Sequence, residues 1–194
     1  KIKQIANKYG RTFKLFTLKP ESIRGELAKC LAAYHPFSTG TFTEFKNRIM
    51  SLFSAAEGRG QQHYVIGEEN AINTVLAVLQ KSGKDFDLYT LYEVIQDIEI
   101  LKALANETDD RLLMNEVELL DDEKIGDVGK ILKLFILSSF GHLFNTKACS
   151  EVIKLQESII NNEIVLFMFD SSTYKEDTKK IAKLVINDIN SAFS

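Results

Sequence analysis

"NNEIVLFMFDSSTYKEDTKKIAKLVINDI", Asn161–Ile189, holds an apolar run, a short polar break and a long amphipathic pattern. Ile164–Phe169 is apolar at every position. A strand with two apolar faces is the kind buried on both sides in a parallel sheet. Asp170, Ser171 and Ser172 break the run, and Asp170 is placed to cap the next helix. That helix reads as Tyr174–Phe193, with Ile181, Leu184, Val185 and Ile189 on its apolar face. A strand leading into an amphipathic helix is an α/β unit.

A second such unit stands at the other end. Ile2, Ile5 and Ala6 give a short helical pattern, and Gly10 reads as its C-cap. Thr12–Leu18 reads as a strand, and residues 26–34 as a short helix stopped by His35–Pro36. Between the two ends the pattern is helical. Thr41 or Thr43 caps a helix with Phe42, Phe45, Ile49, Leu52 and Phe53 on one face. After a loop at 58–60, helices are predicted from Gln62 to Gly83, from Asp87 or Thr90 onward, over "IEILKALANE" and "DRLLMNEVELL", and through "DEKIGDVGKILKLFILSSFGHLF" as a long central helix. The fold class is therefore mainly α: a helical domain inserted in an α/β domain, with strands at about 12–18 and 164–169. The segments are 1–24 and 151–194 from the host and 25–150 for the all-α insert. The first residue is Lys1 rather than Met, so the chain reads as a piece of something longer.

Composition narrows the function classes. With 45% hydrophobic and 26% charged residues, 194 residues suffice for a packed core. Cys30 and Cys149 are far apart, which suits a reducing compartment better than a disulfide framework. No stretch reaches the roughly 18 unbroken apolar residues of a membrane span. His35, His63 and His142 are scattered, so no metal site is expected, and no "GxSxG" elbow marks a nucleophile. The net charge of −3 conceals an asymmetry: residues 1–30 carry +6, and residues 85–127 carry fourteen acidic against three basic residues, a net −11. Such opposed surfaces suit different partners.

The order of segments resembles the ATPases of type IV secretion systems known as coupling proteins, the hexameric motors of conjugation. "IANKYGRTFKLFTL" (Ile5–Leu18) is similar to the segment that comes after their phosphate loop and its strand. "YHPFSTGTFTEFKNRI" (Tyr34–Ile49) is similar to their Asn-Pro-apolar turn, with His35 in place of the Asn. "HYVIGEENAINTVLAVL" is similar to the Ala- and Leu-rich helix that comes next, and Ser138–Ile189 to the return into the motor. The resemblance implies a RecA-like motor domain carrying an all-α domain inserted between its Walker A and Walker B elements. It implies that the all-α domain receives cargo: a relaxosome–DNA complex, adaptor proteins or effector proteins. It also implies a homohexameric parent that uses ATP and Mg²⁺ and is anchored at the bacterial inner membrane, with this piece, expected to be monomeric by itself, on the cytoplasmic side.

No "GxxxxGK[ST]" loop is present, and no apolar strand ends in an acidic pair suited to Mg²⁺. This piece is accordingly expected to have no catalytic residues, no cofactor or metal of its own, and no ATPase activity. The acidic segment is the expected contact for a basic protein, through Asp109, Asp110, Glu116, Glu118, Asp121 and Asp122 on exposed loops and helix ends. The alternative is a helical, DNA-contacting insert of a DNA-translocating ATPase unconnected with secretion. Its phosphate contacts would be Lys3, Lys8, Arg11, Lys14 and Arg59.

Overall fold

Strand β1 (Phe13–Thr17) pairs in parallel with β4 (Ile164–Met168), Phe13 opposite Ile164 through to Thr17 opposite Met168. The two strands predicted from opposite ends of the chain are thus immediate neighbours. The computed structural model describes residues 1–53, 62–170 and 172–193, and for residues 62–66 the backbone alone. Parallel strands need a long crossover, and here it comprises almost the whole helical middle. A second parallel pair joins β2 (Ala33–Tyr34) to β3 (Val152–Ile153). One bridge, Leu15 with Leu31, links the two pairs.

Gly10 ends helix α1 (Ile2–Lys8) as the sequence predicts. Its φ is 62°, and Arg11 N donates to Ala6 O at 2.9 Å while Gly10 N donates to Asn7 O at 3.2 Å. That is the paired geometry of a Schellman cap. The predicted 26–34 helix is a shorter 3-10 helix, Gly25–Cys30, after which the chain leads into β2. β1 is buried on both faces, whereas β4 is half-buried, not enclosed as its sequence predicts. Among the described residues β4 has a neighbour along one edge alone.

The middle consists of α2 (Phe42–Phe53), α3 (Gln62–Lys81), α4 (Leu88–Gln96), α5 (Ile98–Glu107), α6 (Arg111–Glu118) and α7 (Asp122–Ile136). Thr41 and Glu44 form a capping box at α2: Glu44 N donates to Thr41 Oγ1 and Thr41 N to Glu44 Oε2. Each of α4 to α7 begins with an aspartate accepting backbone amides, Asp87, Asp97, Asp110 and Asp121 in turn. α7 stops at Ile136, short of the predicted Phe144. Ser138 Oγ donates back to Phe135 O, and the chain folds against the end of the helix at Gly141, where a Cβ would collide with Ile136 O. A single turn, Gly141–Phe144, places Phe144 beside Phe16 and Tyr34.

After α8 (Leu155–Ile160) and β4, the last helix α9 (Lys175–Ala192) packs chiefly on α2 rather than covering the strands. Ile181, Leu184 and Val185 are buried as predicted, but Ile189 is 36% exposed. Asp170 does not cap α9. Its carboxylate takes the amides of Ser172 and Thr173 in the preceding turn and pairs with Lys19 at the exit of β1. That pair and those donors hold its pKa below the usual carboxylate range.

Where α2, α9 and β2 meet, three polar side chains are almost sealed from water: Arg48, Asp188 and Tyr34. Arg48 Nη2 lies 3.2 Å from Asp188 Oδ1, and Tyr34 Oη donates to Asp188 Oδ2 at 2.7 Å. Arg48 Nη1 donates to Pro36 O and Thr39 O, fixing the loop before α2, each at 2.6 Å. Gly40, at φ 143°, leaves the room: a Cβ there would stand 3.1 Å from Arg48 Nη2. Burial pushes Asp188 up to about 6, against the opposing pull of Arg48 and the Tyr34 hydrogen bond. Tyr34 is raised too, by burial and by the Asp188 charge.

Asp188→Ala strands a buried guanidinium and is expected to cost about 3–5 kcal/mol in urea unfolding. Tyr34→Phe is expected to cost about 1–3 kcal/mol. A carboxyl raised in the folded state binds its proton more tightly there, so its contribution weakens as pH rises through the window from 3.8 to about 6. The stability advantage of the native protein over Asp188→Asn should therefore shrink between pH 4 and 7. An advantage that grows would mean the Arg48 attraction outweighs burial.

Candidate functional site

The acidic segment runs from the start of α4 into α7, and the helix ends decide what each acid does there. Asp110 Oδ1 accepts Leu112 N at 2.9 Å and Leu113 N at 3.3 Å. Its other oxygen pairs with Lys81, and these contacts, Lys81 first, lower its pKa. Asp121 Oδ1 accepts Glu123 N at 2.9 Å and Lys124 N at 3.3 Å. Glu118 approaches Lys102 at 3.9 Å. The side chains of Asp109, Glu116 and Asp122 are exposed and make no hydrogen bond or ion pair among the described residues. Asp109 sits at φ 53° in the turn between α5 and α6, a conformation Asp tolerates better than most residues.

The six acids predicted to contact a partner thus separate into two kinds. Asp110 and Asp121 hold helices in place through their cap bonds. Asp109 and Glu116 carry surface charge with no ion-pair partner among the described residues, Asp122 attracts Lys102 from beyond contact distance, and Glu118 lies between the two cases. Part of the remaining acid count is also internal to the fold. Asp87 is 2% exposed. It takes four donors, from the backbone and hydroxyl of both Thr90 and Thr146, and these bonds lower its pKa despite the burial that opposes them. It thereby ties the start of α4 to the segment leaving the helical middle.

The predicted basic contacts are not a cluster of free cations. Lys14 pairs with Glu163 at 2.8 Å and donates to Val152 O at 3.0 Å, stitching β1 to the return segment, and its side chain is 14% exposed. Lys3 donates to Glu26 O and pairs with the Glu26 carboxylate. Lys8 lies 5.7 Å from the ring centre of Tyr9. Arg11 is exposed. Arg59 lies outside the described residues. Lys3, Lys8 and Arg11 remain on the surface of the N-terminal end, and Lys14 is withdrawn by its structural pairing.

The other reactive side chains are dispersed. His35 is buried, its Nε2 3.1 Å from Asp85 Oδ1, while Nδ1 accepts Phe37 N. Cys30 and Cys149 are free thiols, and burial pushes Cys149 up. Among the described residues no three His, Cys, Asp or Glu converge on a common point. Nor is any described helix long and apolar enough to cross a membrane. Arg48 and Asp188 are not among the predicted site residues, although each stands at helical spacing on an apolar face, Arg48 with Phe45, Ile49 and Leu52, Asp188 with Ile181, Leu184 and Val185. A charge on a core stripe is the signal that could have found them. No protein-family model, curated protein or solved structure matches the chain.

Asp110→Ala and Asp121→Ala are each expected to cost about 1 kcal/mol, the value of a lost N-cap. Asp109→Asn, Glu116→Gln and Asp122→Asn should each stay within about 0.5 kcal/mol of the native protein. Urea unfolding of the five variants checks both statements.

Proposed function

We propose that the chain is the cargo-recognition piece of a type IV secretion coupling ATPase. Residues 25–150 supply its all-α domain, and residues 1–24 and 151–194 are the adjoining parts of a RecA-like motor. The observation that carries this is the parallel pairing of β1 with β4 across an almost wholly helical crossover. That pairing supports a helical insert between neighbouring strands of one sheet. The half-buried β4, apolar on both faces and with a neighbour along one edge alone among the described residues, supports a sheet that continues in a longer chain. The order of segments along the sequence supports the choice of this family.

On this reading ATP and Mg²⁺ belong to the phosphate loop of the parent hexamer at the inner membrane. This piece presents carboxylates to cargo on the cytoplasmic side. Asp109, Glu116 and Asp122 attract a basic protein surface and repel nucleic-acid phosphates. The cargo contact is therefore assigned to protein, whether relaxase, adaptor or effector.

The test is a pair of titrations of the whole chain, one with the relaxase or effector of its own system and one with short single- and double-stranded DNA, each at low and moderate salt. Glu116→Lys, Glu118→Lys and Asp122→Lys together leave both helix caps intact. They should weaken protein binding about tenfold at low salt, since single rim pairs contribute only about 0–1 kcal/mol each. The loss should shrink as salt shortens the screening length toward about 8 Å. Tight DNA binding together with unchanged protein binding would favour the DNA-contacting insert instead.

A further inference from the structure

A groove that joins exposed acids to apolar surface lies between residues 67–74 of α3 and the turn from α6 to α7. It encloses about 500 Å³, within the range of sites that hold several ligand side chains. Its construction rests on small residues. At Gly67 a Cβ would stand 2.8 Å from Lys124 Cδ, so the glycine lets the Lys124 stem lie against α3 and close one side. Ala71 lines the α3 wall. Leu119 and Leu120 come just after the end of α6, Leu120 half-buried against the core and Leu119 78% exposed at the rim.

Two exposed carboxylates border this apolar floor, and a buried amide oxygen lies behind it. Glu116 is an exposed carboxylate without a partner among the described residues. Asp121 gives Oδ1 to its two cap amides, and its Oδ2 takes no donor among the described residues. Asn73, in the α3 wall, has its Oδ1 buried and unpaired among the described residues. The groove therefore sets an exposed leucine beside two carboxylates, with Lys124 as the cation in its lining, next to a segment carrying a net −11 over residues 85–127.

We propose that this groove binds a short, basic, amphipathic peptide segment. An apolar side chain rests on Leu119 and Leu120, and a Lys or Arg beside it reaches Glu116 and Asp121. This is the helix-in-groove mode with charge complementarity at the rim. A phosphate-bearing ligand is repelled by the same two carboxylates. That the segment belongs to transported cargo rests on the coupling-protein reading; the groove and the chemistry of its occupant do not.

The probe is a synthetic 14-residue peptide with Leu at helical spacing and Lys or Arg elsewhere. It is compared with a scramble of identical composition and with a version carrying Glu for each base. Binding to the whole chain is followed by amide chemical shifts and by titration. The shifts should concentrate in Gly67–Thr74 and Glu116–Lys124. Leu119→Ser and Glu116→Gln should each weaken binding about fivefold or more, with unchanged thermal midpoints because both side chains are exposed. The scramble should bind about fivefold weaker or worse, and the acidic version not at all. Equal binding of the scramble, shifts spread over Glu99, Glu107 and Asp109, or an unaffected Leu119→Ser protein would overturn the proposal. Tight binding of a short DNA duplex in the same groove would do so too. Cargo protein that binds undiminished to Leu119→Ser with Glu116→Gln would sink the groove and spare the coupling reading. Peptide binding here, with no affinity for any relaxase or effector, would sink that reading and spare the groove.

Discussion

Two parallel strands cannot be joined by a tight turn. The pairing of Phe13–Thr17 with Ile164–Met168 therefore obliges everything between them to leave the sheet and come back. The rest of the molecule depends on that constraint. It brings the two ends of the chain side by side and leaves the middle free to fold as helices. It also sets Lys19, just past β1, beside Asp170, just past β4, so the exits of both strands are tied together.

A crossover this long needs a second fastening, and the Arg48–Asp188–Tyr34 cluster supplies it. Arg48 belongs to the first helix of the crossover, Asp188 to the last helix of the chain, and Tyr34 to β2. A buried ion pair of this kind contributes little net stability over an apolar contact, but a half-broken one is severely unfavourable. Its effect is to specify how α2 seats on α9 and to lock the Pro36–Thr39 loop. The packing of α2 on α9 also means that the expected boundaries at residues 24 and 150 are crossed by an extensive interface. Structurally α2 is as much a part of the strand-bearing end as of the helical middle.

β1, β4 and most helices are legible in the sequence because each announces itself locally, through alternation, helical spacing or a cap. β2 and β3 are not, since two residues apiece carry no periodicity and exist only through pairing. The overlong α7 has a similar cause: Leu137 to Phe140 stay compatible with a helix, and only the close approach at Gly141 to Ile136 O turns the chain. The acidic segment is legible as charge but not as function. An aspartate that caps a helix and one that faces solvent look alike in sequence, so Asp110 and Asp121 fall in one group with Glu116 and Asp122. The groove at Leu119 depends on the spacing of α3 from the α6–α7 turn, which no local pattern encodes.

The central claim is that both chain ends form one cooperative unit from which the helical middle is suspended. Native-state amide exchange tests it most directly. The claim predicts that Phe13–Thr17, Ile164–Met168, α2 and α9 share one opening free energy, and that Asp188→Ala lowers it for all four together. Exchange in β4 and α9 that proceeds independently of β1 and α2, or that Asp188→Ala perturbs in α9 alone, would contradict it.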